Sequence, residues 1–509
     1  MKLTKPLLII LVFYTVLLFF YGCNNRWEKL NSNPNSVTGL PNGFLFSSAV
    51  RDSFLDELNT IQAYFGGQLA HIVVVDYPGR EIDKYYFNYS RDFSESIFKS
   101  VYGGAIRNIV EVLDATSKGA TENNARNAQA KVIAAVNFAK LTDLFGDVPY
   151  FQAAQAKNAN FTPAYDPQQE IYGDMVEQLI KARAVLNSAT NTQIYPVEFD
   201  PLYAGNLESW KRFANSFLLR LAIRARLADP DKYNPIIQEC LSFPLVEENT
   251  DNAKLANYDV GNSDLYNPWY TKIIDYQGGK YTALWSEYFV NTLKDLKDPR
   301  LVFFATPNKE GEFIGFPNGL VDAPDYAKWL EINKDLAKFS PKFVARDQPL
   351  YLLTAGEIWL LRADMAINNI GGLASADANK LYRNGIVRAL QQWNLPNDSI
   401  EKYMSNQQVT TLSGTMEEKQ DQISTQLWIA YIPNFVESWT TIRRTGFPKI
   451  KQRTEPNYSK GDTDGYLPKR LRYPYTVEKI SNGNNLKLAV DRMGGIDKID
   501  IPVWWDVID

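Results

Sequence analysis

Apolar residues recur at helical spacing in block after block of this 509-residue chain, and long stretches rich in glycine, proline and aromatic side chains separate the blocks. Such a block hides its apolar face most readily against another helix, so the pattern commits most of the chain to helix-on-helix packing. Residues 125–145 place Ala128, Val132, Ala135, Val136 and Ala139 on one face, and these small side chains predict close helix approach. Asp166-Pro167-Gln168-Gln169 reads as a helix start, with Asp166 as N-cap, Pro167 at the first position and a glutamine three residues after the cap. That helix runs to about Leu186. Trp210, Phe213, Ala214, Phe217, Leu221 and Ala225 form another stripe, ended near Asp229-Pro230. Residues 351–367, 376–393 and 420–431 supply further helices. The helices come in pairs without a fixed repeat length. Strand signals are few and short, so the class is mostly α with large loop insertions.

The insertions at 72–90, 244–282, 305–327 and 445–475 are long for a compact protein, and loops of that kind commonly carry function. The chain has 11 Trp, 29 Tyr and 27 Phe, enough for a surface that handles sugars or peptides as well as for a core. Sugar rings present apolar C–H faces that a flat aromatic ring complements, while Asp, Asn and Arg pair with hydroxyls. On that basis the ligand-binding candidates are loop residues in three groups. The first is Asp76, Tyr77, Arg80, Tyr85 and Tyr86; the second is Asn267, Trp269, Tyr270, Tyr276 and Trp285; the third is Asn318 and Trp329. Trp428, Tyr431, Ile432 and Trp439 lie on helical segments and read as core. Arg443 and Arg444 read as partners in structural ion pairs.

At the N-terminus, Lys2 and Lys5 precede an uncharged run, Leu7–Tyr21, closed by Gly22-Cys23. The run is shorter than the roughly 20 residues of a membrane-spanning helix and reads as a signal peptide, residues 1–22. The small residue before Cys23 predicts cleavage and lipidation there, and several acyl chains make a stable anchor. Residues 23–43, polar and rich in Asn, Ser, Pro and Gly, then form a tether, and 44–509 form one folded body. Without Lys2 and Lys5, the 54 basic residues fall to 52 against 58 acidic ones, a formal charge of −6. No basic stripe stands out, which argues against a nucleic-acid partner.

Cysteine and histidine usage excludes several chemistries. With Cys23 lipidated, Cys240 has no disulfide partner and reads as a buried core thiol. His71 is the only histidine, which rules out a multi-histidine zinc site and leaves a Ser-His-Asp triad nothing but His71 to build on. It reads as the end of an early helix. Ser96-Ile97-Phe98-Lys99 has the Ser-x-x-Lys spacing of penicillin-interacting enzymes, but no Ser-Asp-Asn accompanies it. Asp462-Thr463-Asp464-Gly465 resembles the middle of a calcium loop, yet Lys460 and Leu471 stand at the first and last ligand positions, so it reads as a polar turn. No dinucleotide or phosphate loop is present, and no cofactor is expected.

Several motifs, in order along the chain, resemble the SusD/RagB family of nutrient-uptake lipoproteins, and the branch called SusD-like 2 in particular. They begin with Asn31-Ser32-Asn33-Pro34-Asn35 and Leu141-Thr142-Asp143-Leu144-Phe145-Gly146-Asp147-Val148-Pro149-Tyr150. Trp210-Lys211-Arg212-Phe213-Ala214-Asn215-Ser216, Leu219-Arg220-Leu221-Ala222, Asp298-Pro299-Arg300-Leu301 and Thr354-Ala355-Gly356-Glu357 follow. Gln426-Leu427-Trp428, Glu437-Ser438-Trp439, Arg443-Arg444-Thr445-Gly446-Phe447-Pro448, Leu467-Pro468-Lys469-Arg470-Leu471-Arg472-Tyr473-Pro474 and Val503-Trp504-Trp505-Asp506 close the series. Pro433-Asn434-Phe435-Val436 departs from the Asn-Gly that the family often has there. The resemblance implies a tetratricopeptide-like α-α superhelix with irregular excursions forming the ligand face. It implies a lipid anchor in the outer membrane facing outward, and a SusC-like TonB-dependent β-barrel transporter as partner. It implies binding without catalysis, usually of a glycan (an oligosaccharide) and in some members of a peptide. A secreted hydrolase is the reading from another class.

Overall fold

The apolar stripes fold into helices that pack in succession along the chain. The computed structural model describes residues 41–55, 62, 65–76, 82–86, 91–119, 122–262, 265–270, 282–320, 331, 335–474 and 476–508. Cys23, most of the tether, Tyr77, Arg80, Tyr276 and Trp329 lie outside the described residues. A first array comprises α1 (Asn42–Leu55), α2 (Arg91–Val101), α3 (Arg107–Ser117), α4 (Asn124–Phe145), α5 (Gln168–Ser188), α6 (Leu207–Ala225) and α7 (Pro230–Cys240). From α3 onward each helix packs on the next, and α1 packs on α3. After α8 (Glu287–Asp295), a second array comprises α9 (Ala355–Ile367), α10 (Ala378–Gln391), α11 (Met416–Ala430) and α12 (Phe435–Thr445), with α9 against both α10 and α11, and α11 against α12. This pairing is the expected mostly α, tetratricopeptide-like architecture. One continuous apolar cluster extends from Phe46 to Trp505.

Local sequence explains five of the helix starts. Asn123, Asn206, Asp229, Thr354 and Thr415 each accept a backbone N–H at the start of α4, α6, α7, α9 and α11. Two expectations change. Asp166 does not cap α5. Its carboxylate accepts the N–H groups of Tyr150 and Phe151 at 2.8 and 2.9 Å, and the Gln168 N–H goes instead to Asp147 Oδ1 at 2.9 Å. The anion at this helix start therefore comes from the loop that ends α4. Residues 351–353 belong to a strand, β6 (Leu350–Leu353), which pairs with β2 (Ala253–Leu255); α9 begins only after Thr354. Two other small antiparallel pairs join β1 (Val73–Asp76) to β3 (Thr282–Trp285) and β4 (Ala305–Thr306) to β5 (Lys338–Phe339).

The motif residues meet in a buried lattice of charge. Arg224 of α6 ion-pairs with Asp143 of α4 and Glu437 of α12, while Arg220, one turn earlier, pairs with Glu357 of α9. Asp143 also accepts from Tyr172 and from Trp505 Nε1, the latter at 2.7 Å, and Tyr431 donates to Glu357 at 3.3 Å. Arg300, fully buried, holds Asp298 Oδ2 at 2.6 Å and Gln426 Oε1 at 2.7 Å. Burying a charge is costly unless a partner is supplied, and here partners arrive from helices far apart in sequence. Trp428, Tyr431, Ile432 and Trp439 are buried as expected. Arg444 makes the expected ion pair, to Asp364 at 2.7 Å. Arg443 does not. It lies against the rings of Trp439 and Trp505, 3.8 and 4.6 Å from their centroids, and donates to the carbonyls of Asp143 and Lys469. Burial pushes its pKa down to about 10.

Candidate functional site

The short β1–β3 pair positions a cleft. Val73 lies opposite Trp285, and Trp285 Nε1 donates to the Phe304 carbonyl at 3.1 Å, fixing the end of β3. The next residue, Ser286, caps α8 by accepting the Phe289 N–H at 3.0 Å, and its own N–H donates to Ile72 O at 2.9 Å. Phe316 N donates to Trp285 O and Glu287 N to Phe316 O. Only glycine fits at 315 beside this exchange, because a Cβ there would lie 2.3 Å from Ser286 O. These bonds aim one face of α8 into a cleft of about 500 Å³, within the size range of small-molecule sites. Glu287, Tyr288, Asn291 and Asp295 of α8 line one side, and Lys449, Lys451 and Tyr458 another; His71, Asn318 and Arg453 also line it.

Beside the cleft lies a buried polar cluster. His71 follows the end of a helical segment at φ 55°, close to its expected place, but its setting is more than a helix end. The Tyr85 hydroxyl lies 2.7 Å and Arg453 Nη2 3.3 Å from His71 Nε2. Arginine can only donate, so Nε2 is the acceptor and the ring proton resides on Nδ1. Burial, and secondarily the Arg453 charge, hold the His71 pKa well below its ordinary value, so the ring is neutral. The Arg453 guanidinium lies 3.8 Å from the Tyr85 ring centroid and donates to the carbonyls of Asp83 and Ser459. Asp83 Oδ2 accepts the Gly319 N–H at 2.8 Å, and Asn318 Nδ2 donates to Val73 O at 3.2 Å. Burial pushes the Tyr85 hydroxyl up to about 12.

The structure separates the ligand-binding candidates. Asn318 lines the cleft. Tyr86 is exposed, and Asp76 pairs with Thr282 at the end of the β1–β3 ladder. Tyr270 is half-buried, and its hydroxyl accepts from Arg346 at 2.8 Å. Four expectations are corrected. Trp269 packs against Phe343 and Phe435, and Trp285 against Phe289, Phe304, Phe339 and Phe343; both rings are core, with 1% and 0% exposure. Asn267 is a buried bracket, donating to Ala345 O and accepting the Trp269 N–H. Tyr85 is buried and supports the cleft through His71 and Arg453 instead of facing a ligand. Sequence reasoning missed Glu287, Tyr288, Asn291, Asp295, Lys449, Lys451 and Tyr458. The capping Ser286 followed by the apolar pattern of Phe289, Val290 and Leu293 was the signal that could have found α8. Cys240 is a buried thiol, as expected, and burial pushes it up to about 12.

Comparisons with known proteins bear on the fold and the family. The family described as SusD-like_2, "Starch-binding associating with outer membrane", matches residues 34–474. Among solved structures, a chitin-binding protein shares 26% identity and a TM-score of 0.77, covering 92% of this chain and 100% of its own. A chitin-binding SusD homolog from Flavobacterium johnsoniae shares 23% identity and a TM-score of 0.78 over 92% of this chain and 99% of its own. A SusD homolog from Bacteroides uniformis shares 24% and a TM-score of 0.76 over 92% and 100%. No curated protein matches the sequence. Among the described residues, no helix is long and apolar enough to cross a membrane.

Proposed function

The chain belongs to the SusD-like family of starch-binding proteins that associate with the outer membrane, and from that premise we propose that it captures an extracellular oligosaccharide in the α8 cleft. The observation that carries this reading is the composition of the cleft. Tyr288 and Tyr458 supply ring surface, while Glu287, Asn291, Asp295 and Asn318 supply partners for hydroxyl groups. The chitin-binding proteins of similar fold make chito-oligosaccharides the first ligands to test, and the family description adds malto-oligosaccharides. In this reading residues 1–22 are removed, Cys23 carries the lipid, 23–43 tether the protein to the outer face of the outer membrane, and 44–509 act as one body. The body hands its ligand to a SusC-like TonB-dependent barrel. The role is binding, with no bond broken.

A peptide ligand is the second reading. It is favoured by the placement of Glu287 and Asp295 in the same cleft as Lys449 and Lys451, since such a lining also suits a chain with charges of both signs. Titration calorimetry of the full chain in detergent, against chitohexaose, maltoheptaose and a set of oligopeptides, separates the two. Binding of a sugar without release of new reducing ends supports oligosaccharide capture. Binding of peptides alone replaces the ligand class, and released reducing ends would identify a hydrolase.

A further inference from the structure

Glu287 opens α8, lines the cleft and is half-buried. Among the described residues its carboxylate has neither a hydrogen-bond donor nor a cation, and burial alone raises its pKa above the ordinary carboxyl range. The positive charges around the cleft are engaged elsewhere or stand apart. Lys449 pairs with Glu417 at 3.3 Å, Arg453 is held by Asp83 O, Ser459 O and His71, and Lys451 is solvent-exposed. The backbone bonds at Ser286, Glu287 and Phe316 fix where α8 starts, so Glu287 is positioned without a partner of its own. A second group at the cleft is also incomplete. Asn318 is 7% exposed, and its Oδ1 has no hydrogen-bond partner among the described residues.

A partly desolvated carboxylate without donors costs free energy, and a molecule that brings donors removes that cost. Hydrogen bonds to an ionised carboxylate are also shorter and stronger than those between neutral groups. Resting on the oligosaccharide reading, we propose that Glu287 anchors the sugar by accepting hydrogen bonds from two neighbouring donors on one ring. In a glucose unit these are adjacent hydroxyls; in an N-acetylglucosamine unit they are a hydroxyl and the acetamido N–H. Asn318 Oδ1 takes a further donor.

The test is calorimetry of the full chain in detergent with chitohexaose and maltoheptaose, comparing the wild type with Glu287→Gln and Glu177→Gln. Glutamine keeps the shape of Glu287 but removes its charge and one acceptor. The expected result is a loss of at least about tenfold in affinity for whichever sugar the wild type binds, the worth of a charged hydrogen bond, with an unchanged melting temperature. Glu177→Gln, the same change at an exposed carboxylate of α5 outside the cleft, changes affinity by less than about threefold. Equal affinity in Glu287→Gln and wild type overturns the anchor and leaves the oligosaccharide reading standing. A wild type that binds neither sugar overturns that reading and the anchor with it. If Glu287→Gln melts early, Glu287→Asp decides, because it keeps the charge and withdraws it by one methylene; a loss of about tenfold supports the anchor and an unchanged affinity overturns it.

Discussion

Two groups of carboxylates in this protein meet opposite fates. Asp143, Glu357 and Glu437 lie between helices and are matched by Arg220 and Arg224, with Tyr172, Tyr431 and Trp505 completing the set. Glu287 lies at the edge of an open cleft and is matched by nothing among the described residues. The difference teaches where to look for function. A charge inside a scaffold persists only with its partners, whereas a charge left incomplete beside a cavity is placed for a partner that comes and goes.

The largest expected effect breaks the matched side. Arg224→Ala leaves the buried Asp143 and the half-buried Glu437 without their shared cation, and about 3–5 kcal/mol of stability is lost, measurable by urea unfolding. A loss under about 1 kcal/mol would mean that the lattice is not what holds the two arrays together. Trp269→Ala comes close behind, at about 3–5 kcal/mol, because its ring is core; sugar affinity per folded molecule stays unchanged. A specific loss of sugar binding at full stability would put Trp269 back on the ligand face.

His71 gives a pH test of the boundary between the two regions. Its folded pKa lies below the unfolded value of about 6.5, so below that pH the unfolded chain takes up a proton that the native ring does not. Its contribution to stability is therefore intact above about pH 6.5 and declines as the pH falls, by up to about 1.4 kcal/mol per unit. Urea midpoints at pH 7.5 and 5.5 should diverge more in wild type than in His71→Gln, and parallel shifts would show that the ring titrates normally. The smallest effect sharpens the cleft side. Tyr458→Ala, which removes one half-buried ring, should weaken sugar binding about fivefold by calorimetry while moving the melting temperature little.

Much of the scaffold was legible because helices write themselves locally. The stripe from Trp210 to Ala225, its stop near Asp229-Pro230 and the alanines of α4 needed no knowledge of distant residues. The motif residues were legible as a series, but not their reason: that Asp143, Arg220, Glu357 and Glu437 form one lattice appears only when α4, α6, α9 and α12 come together. The site was read less well. Trp269 and Trp285 look like ligand aromatics in a loop-rich stretch, yet packing claims both, since a large ring gains more from a core than from a half-wet surface. Asp166 shows the same limit at a helix end, where Asp147 does the work that the local pattern assigns to its neighbour.

The sequence by itself determined the helical class, the places where regular structure gives way to insertions, the absence of a multi-histidine metal site and the series of motifs. Periodicity, caps and residue counts are properties of neighbours along the chain, and they survive without coordinates. Only the tertiary structure decided which charges are satisfied. Whether Glu287 has a partner, whether Trp269 sees solvent, and whether the sole histidine is neutral depend on atoms contributed by elements hundreds of residues apart. Burial and pairing are sums over neighbours in space, and the order of residues does not contain that sum.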